Sequence, residues 1–130
     1  MSDNLQVECM ENCGNSPKKN LLKELTIAYA KQDFSFCLDW LTDKVTWEII
    51  GRKTVQDKHE VESALAELNR DPIQQLQIKN IITHGNTGAV NGTITLANEQ
   101  KIAFCDVYNF SGFGKNAKIN YISSYIIELP

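Results

Sequence analysis

The chain has 130 residues, of which 42% are hydrophobic and 22% charged, and 16 acidic against 13 basic side chains give a net charge of −3. A chain of this length buries roughly two thirds of its unfolded surface, enough for one domain with a core and a small pocket. No apolar run approaches the roughly 20 residues of a membrane-spanning helix, and no cluster of Lys and Arg offers contacts to nucleic-acid phosphates. Composition therefore predicts a small acidic domain that binds neither membrane nor nucleic acid.

The four cysteines are expected to be reduced thiols and not to form disulfides or a metal centre. The N-terminus is polar and acidic, unlike a secretion signal, so we expect a cytoplasmic protein with reduced cysteines. Cys9 and Cys13 would share one face of a helix, but two ligands do not make a zinc site. Cys37 and Cys105 lie in apolar stretches and are expected to be small core residues.

Residues 1–15 have no apolar periodicity, which favours a flexible N-terminal tail followed by a single domain over residues 16–130. Ser16 followed by Pro17 is typical of a helix N-cap and the first helical residue. A helix to about Lys31 is predicted because apolar side chains recur at helical spacing: Leu21, Leu22, Leu25, Ala28 and Tyr29.

A second, shorter helix is predicted after Asp33, and a strand over residues 45–50 that ends at Gly51. Asp57 and Glu60 resemble a capping box with Asp in place of the usual Ser or Thr. They predict a third helix of about three turns, with Val61, Ala64, Leu65 and Leu68 on its apolar face.

The second half reads as four strands, over residues 73–83, 89–97, 101–111 and 118–129. Their connections are too short for crossover helices, so neighbouring strands should be antiparallel. The chain is therefore predicted to be an α+β protein with the element order ααβαββββ.

Period-2 alternation in the third of these strands separates two faces. The more aromatic face, expected to point inward, carries Ile102, Phe104, Asp106, Tyr108 and Phe110. Burial there would raise the pKa of Asp106. An inward carboxylate either lines a pocket or belongs to a structural hydrogen-bond network, and the pattern leaves both interpretations open.

Glu48 is the second carboxylate of interest, in the short strand beside Trp47. Alternation puts Glu48 on the face opposite to Val45, Trp47 and Ile49, which favours exposure to solvent. Trp47 is interpreted as bulk in the core or at a dimer face rather than as a substrate clamp.

The order of elements resembles that of the NTF2-like superfamily, in particular its SnoaL-like and ketosteroid-isomerase-like branch. The segments that carry the resemblance are residues 40–51, the helix over 57–68, and residues 105–110 leading into Gly114 and Lys115; it extends from about residue 18 to 129. It implies a cystatin-like cone, in which three helices wrap a curled, mostly antiparallel sheet around a deep apolar pocket. It also implies homodimers that associate through the sheet.

The resemblance assigns roles to both carboxylates. Glu48, three residues before Gly51, falls on the position of the general base in the isomerases. Asp106, four residues before Phe110, falls on the position of a protonated aspartic acid that donates a hydrogen bond to the substrate oxyanion. The resemblance thus implies that Asp106 and Glu48 are catalytic residues facing the pocket, with no cofactor and no metal.

Other positions depart from the isomerase pattern. The catalytic tyrosine of the first helix is replaced by Leu25, with Tyr29 one turn later, and two supporting tyrosines are replaced by Trp40 and Leu65. Steroid isomerisation is disfavoured because the oxyanion site loses its phenolic donors. The residues expected to line the pocket are Tyr29, Trp40, Phe104, Tyr108 and Tyr121, although Tyr121 fits a sheet interface equally well.

The predicted function is binding of a small apolar or carbonyl-bearing molecule, with Asp106 and Glu48 transferring protons in an isomerase, cyclase or dehydratase reaction. The alternative is a non-catalytic ligand-binding or dimerisation module, in which Asp106 and Tyr108 form a buried polar network. The third hypothesis is a structural protein with a vestigial pocket.

Overall fold

The structure of the protein is a computed structural model that describes residues 5–12, 16–68 and 71–130. The helices are α1 (Pro17–Ala30), α2 (Phe34–Asp39) and α3 (Lys58–Leu68). The strands are β1 (Gln6–Cys9), β2 (Leu41–Ile49), β3 (Lys53–Gln56), β4 (Ile73–His84), β5 (Thr87–Leu96), β6 (Lys101–Phe110) and β7 (Ile119–Glu128).

The helices begin where the sequence predicts them to begin. The Ser16 side chain accepts a hydrogen bond from the Lys19 backbone N–H at 3.3 Å, and Asp33 caps α2 in the same way. At α3, the Asp57 carboxylate accepts from the Glu60 backbone N–H at 2.9 Å. Each cap satisfies a backbone N–H that has no partner within the first helical turn. The predicted helix starts are confirmed.

The strands form one sheet in the order β1-β4-β5-β6-β7-β2-β3. Strands β4 to β7 make an antiparallel meander, which confirms the prediction drawn from their short connections. Strand β2 joins β7 in parallel, and β3 pairs antiparallel with β2. A mostly antiparallel sheet with three helices confirms the α+β class.

The predicted order ααβαββββ is corrected to βααββαββββ, because β1 and β3 are strands that the sequence analysis missed. Both lie at the edges of the sheet. An edge strand is held mainly by backbone hydrogen bonds to one neighbour, so it needs no apolar alternation. Val55 is the only buried residue of β3, and β1 has none.

Strand β1 falls within the segment interpreted as a flexible tail. It pairs in parallel with β4, from Gln6 opposite Gln75 to Cys9 opposite Ile78. The part of the tail at Gln6–Cys9 is therefore an ordered edge strand, whereas residues 1–4 and 13–15, with Cys13, lie outside the described residues.

The sheet curls around the helices, with α1 packed on β4 and β5 and α3 packed on β2. The β4–β5 register shifts between Ile78 and Asn80, and Gly92 of β5 lies opposite Ile78. A β-bulge bends its strand and increases the local twist. The absence of a side chain at Gly92 lets β4 and β5 approach closely beside this bulge.

The core lies between the helices and the inner face of the sheet. Its largest fully buried side chains are Phe110, Leu22, Leu76, Ile78, Ile81, Ile119, Val45 and Val90. None of the helices in the described residues is long and apolar enough to cross a membrane.

We call the side of the sheet turned away from the helices the outer face. On β2 and β7 it carries Glu48, Tyr121, Tyr125 and Ile127. The last three are exposed apolar or aromatic side chains. Large exposed apolar groups on one face are typical of an association surface.

Candidate functional site

A cavity of about 300 Å³ lies between the helices and the inner face of the sheet. Its walls are predominantly apolar, with Leu25 and Leu65 on the helix side and Phe104 on the sheet side. The exposed side chains of Arg52 and Asp71 lie at its mouth. This volume is at the lower end of the range for small-molecule sites, so the cavity has room for one small ligand.

Asp106 lies in the middle of β6 and lines the cavity. It shares the inner face with Phe104 and Tyr108, as alternation along the strand requires. Burial raises the pKa of Asp106 to about 6, and a hydrogen bond with the Ser124 hydroxyl partly opposes that rise. A carboxyl group with a pKa this close to neutrality can both accept and return a proton under physiological conditions.

Ser124 lies directly opposite Asp106 in the β6–β7 register and is 4% exposed. Its Oγ accepts a hydrogen bond of 2.9 Å from Nε1 of Trp47 on β2. The indole N–H can only donate. The proton of the Ser124 hydroxyl is therefore free to point at the Asp106 carboxylate, and three adjacent strands are linked by this chain of hydrogen bonds.

Tyr108 lies two residues beyond Asp106 and hydrogen-bonds with Thr26 of α1. The Thr26 hydroxyl donates in turn to the backbone carbonyl of Leu22 at 2.8 Å. Burial raises the pKa of Tyr108 well above its ordinary value, and the nearby Asp106 carboxylate adds to the rise. Tyr108 therefore remains a neutral phenol.

Cys37 of α2 and Tyr29 of α1 also line the cavity and lie near Tyr108. We call the part of the cavity formed by these residues and Asp106 its inner end. The Cys37 thiol donates to the Leu25 carbonyl at 3.7 Å, and burial raises its pKa to about 12. It is a neutral thiol and not a nucleophile at physiological pH. The ring of Tyr29 packs against Phe34, with 6.4 Å between the ring centroids.

Four of the residues predicted for the site meet in this cavity: Asp106, Phe104, Tyr108 and Tyr29. Tyr29 reaches it from α1 one turn after Leu25, which also lines the wall.

Glu48 is not among the residues that line the cavity. It lies on the outer face, where its Oε1 accepts a hydrogen bond of 2.9 Å from the Tyr121 hydroxyl. The inward positions of β2 are taken by Trp47 and Ile49. Alternation along the strand placed Glu48 correctly, and the pocket role implied by the resemblance is corrected.

Tyr121 is likewise corrected from the pocket to the outer face. In the β6–β7 pairing, Phe110 lies opposite Ile119 but Asn109 lies opposite Tyr121, which leaves Asn120 as an extra residue. A bulge of one residue turns the rest of the strand over. The side chain of Ile119 therefore points inward and that of Tyr121 outward.

Trp40, also predicted to line the pocket, follows the last residue of α2 as its C-cap. It is partly buried and packs against the core without lining the cavity.

Sequence reasoning missed Ser124, Thr26 and Trp47 as site residues. Strict alternation from Ile119 puts Ser124 on the outer face, so only the bulge reveals its inward position. For Trp47 the signal was present, since alternation already separated it from Glu48. No group of three His, Cys, Asp or Glu side chains in the described parts of the chain could hold a metal ion.

Comparison with known proteins identifies the fold. No protein-family model and no curated protein sequence matches the chain. Among solved structures, an NTF2-like protein of unknown function from Burkholderia xenovorans is similar with a TM-score of 0.72 and 16% identity, over 92% of this chain and 91% of that one. Another from Cytophaga hutchinsonii has a TM-score of 0.61 and 23% identity, over 84% and 98%.

A structure assigned as a SnoaL-like polyketide cyclase, from Shewanella denitrificans, has a TM-score of 0.71 and 8% identity, over 87% of this chain and 92% of that one. Structural similarity at sequence identities this low shows a shared architecture and does not determine the activity. The chain therefore has the NTF2-like fold, and the resemblance to NTF2-like proteins found in its sequence is confirmed at that level.

Proposed function

We propose that the protein binds one small, largely apolar molecule in the cavity and that Asp106 exchanges a proton with it. The reaction is then a cofactor-independent isomerisation, cyclisation or dehydration. The observation that carries the proposal is the position of Asp106, a carboxyl group deep in an apolar cavity with a pKa of about 6. Similarity to a SnoaL-like polyketide cyclase agrees with this class of reaction.

Asp106 acts without a second carboxylate at the inner end. Asp71 and Glu128 also line the cavity, but both are exposed at its mouth. A single carboxylate can take a proton in one step and return it in the next, so the proposal does not need Glu48.

The proposal predicts that the protein promotes the ring opening of 5-nitrobenzisoxazole, a flat bicyclic probe of carboxylate bases. The Asp106 carboxylate takes the C–H proton, the N–O bond breaks, and the electron pair remains on the phenolate oxygen of the coloured product. General-base catalysis contributes about 100-fold or more, so Asp106→Asn should lower kcat/KM by at least that factor. The rate should rise with pH through about 6, as Asp106 ionises.

The matched control is Glu48→Gln, which makes the same change to a carboxylate on the outer face. It should leave the rate unchanged. Equal rates for Asp106→Asn and the wild type would refute a role of Asp106 as a base. A probe that binds but is not converted would favour the second candidate, a ligand-binding module.

We also propose that two copies of the chain associate through the outer face. The support is the exposed apolar surface of β7, where Ile127 is 63% exposed beside Tyr125. Such a surface is more stable when a partner removes it from water.

Ile127→Glu is expected to shift the protein from dimer to monomer in sedimentation velocity at micromolar concentration, because it places a charge in the interface. The control is Phe113→Glu in the loop between β6 and β7, where the phenylalanine is 76% exposed. It should not change the sedimentation coefficient. A monomeric wild type would disprove association through this face.

A further inference from the structure

Three hydrogen-bond donors at the inner end of the cavity have partners within the protein. The Trp47 indole N–H is committed to Ser124, and a carboxylate receives the proton of Ser124 when Asp106 is ionised. The Cys37 thiol is committed to the carbonyl of Leu25. These three donors are used within the protein.

The direction of the Tyr108 hydrogen bond follows from its neighbour. The contact of 2.8 Å between the Thr26 hydroxyl and the Leu22 carbonyl requires the Thr26 proton, because a carbonyl has none to give. The Thr26 oxygen must therefore accept the proton of Tyr108. The phenol oxygen of Tyr108 keeps a lone pair for a ligand.

The inner end thus offers acceptors to the cavity: the carboxylate oxygens of Asp106 and the phenol oxygen of Tyr108. We propose that it recognises a ligand that donates a hydrogen bond, specifically an apolar molecule carrying a hydroxyl group such as a phenol or an enol. The inference rests on the proposed ligand-binding function and names its substrate class.

A carbonyl or ether oxygen in the same place would face other acceptors. It would lose its hydrogen bonds with water and gain none from Asp106 or Tyr108, which is costly in an apolar site. A hydroxyl group instead donates to a charged acceptor, the stronger kind of hydrogen bond. This is the reverse of a site in which donors stabilise a substrate oxyanion.

Tyr29 is the other phenol at this end, close enough to Tyr108 to raise its pKa, and it too interacts within the protein.

The test compares 2-naphthol with 2-methoxynaphthalene, which has the same ring system but no proton to donate. Fluorescence titrations at about pH 8 keep Asp106 ionised and the naphthol neutral, since a phenol has a pKa of roughly 10. We expect the wild type to bind 2-naphthol about tenfold more tightly or better. Asp106→Leu should remove most of this preference, leaving only the contribution of Tyr108, while the ether still binds.

Tyr108→Phe provides a second variant that keeps the ring and removes one acceptor. It should reduce the preference for the naphthol without removing it. Glu48→Gln, on the outer face, should leave the preference as in the wild type.

The outcomes separate this inference from the proposed function. Equal binding of the two probes, or tighter binding of the ether, overturns the inference and leaves ligand binding in the cavity intact. A preference for the naphthol that is as large in Asp106→Leu as in the wild type also overturns it. Failure of both probes to bind overturns the inference together with the binding function on which it rests.

Discussion

Replacement of Gly92 by alanine is expected to lower the free energy of unfolding by about 3 kcal/mol or more, the largest stability change that we predict for a single methyl group. A Cβ atom at this position would lie 2.0 Å from the Gln77 carbonyl oxygen and 3.1 Å from the Cα of Ile78. Both neighbours are backbone atoms of β4, so no rotamer change relieves the contact. Strands β4 and β5 would have to separate at the bulge that curls the sheet.

Urea denaturation measures the effect, and Gly112→Ala is the matched control. A Cβ at Gly112 meets only the Ala117 methyl at 3.8 Å, an ordinary contact distance. That variant should stay within about 0.5 kcal/mol of the wild type, as is usual for surface substitutions. If Gly92→Ala cost no more than the control, the close approach of β4 and β5 would not be a feature of the folded protein.

The sequence predicts the elements whose apolar side chains recur at helix or strand spacing and misses the two short edge strands. The four-strand meander and α1 were predicted to within one residue, except that β5 begins two residues earlier than predicted, at Thr87. Their apolar side chains recur with the period of the element, since each packs on the core. Strands β1 and β3 could not be predicted in this way, because an edge strand is held by backbone hydrogen bonds to one neighbouring strand and needs no periodic apolar side chains.

The candidate site was predictable where a strand remains regular. Asp106 and Tyr108 were placed on the inner face by alternation within β6, which has an uninterrupted register with β5. Tyr121 lies on the outer face and Ser124 on the inner face, the reverse of what alternation from Ile119 predicts, because Asn120 is an extra residue in β7. The position of such a bulge is determined by the pairing of two strands and not by the sequence of either strand alone.

The error at Glu48 has a different origin. Its own strand indicated the outer face, and only the resemblance to the isomerases turned it inward. A distance of three residues from a glycine does not determine the side to which a strand residue points, whereas the buried neighbours Trp47 and Ile49 do. Periodicity in the chain itself was the better guide.

Asp106→Asn is expected to stabilise the protein at about pH 8 by roughly 2–3 kcal/mol. The pKa of Asp106 rises from 3.8 to about 6 on folding because burial disfavours the charged form. Each pKa unit corresponds to about 1.4 kcal/mol, so ionisation in the folded state costs up to about 3 kcal/mol. Asparagine has the same shape and no charge, and it avoids this cost.

The sign of the pH dependence follows from linkage. A group whose pKa is raised in the folded state contributes full stability below its unfolded pKa, here 3.8. That contribution decreases as the pH rises and is lost above the folded pKa of about 6. The difference between Asp106→Asn and the wild type should thus be near zero at about pH 4 and maximal at about pH 8. Urea denaturation at both pH values measures this difference in the free energy of unfolding. The control is Glu48→Gln, which should bring no comparable increase in stability.

The same variant decides between the two interpretations of an inward carboxylate. A structural Asp106 would be held by its hydrogen bonds, and its loss would cost about 1–3 kcal/mol at neutral pH. A functional Asp106 destabilises the fold and is retained for its chemistry, which is the usual exchange of stability for activity at a site. Asp106→Asn should therefore be more stable and inactive towards 5-nitrobenzisoxazole. A variant that is less stable at about pH 8 would identify Asp106 as a structural residue.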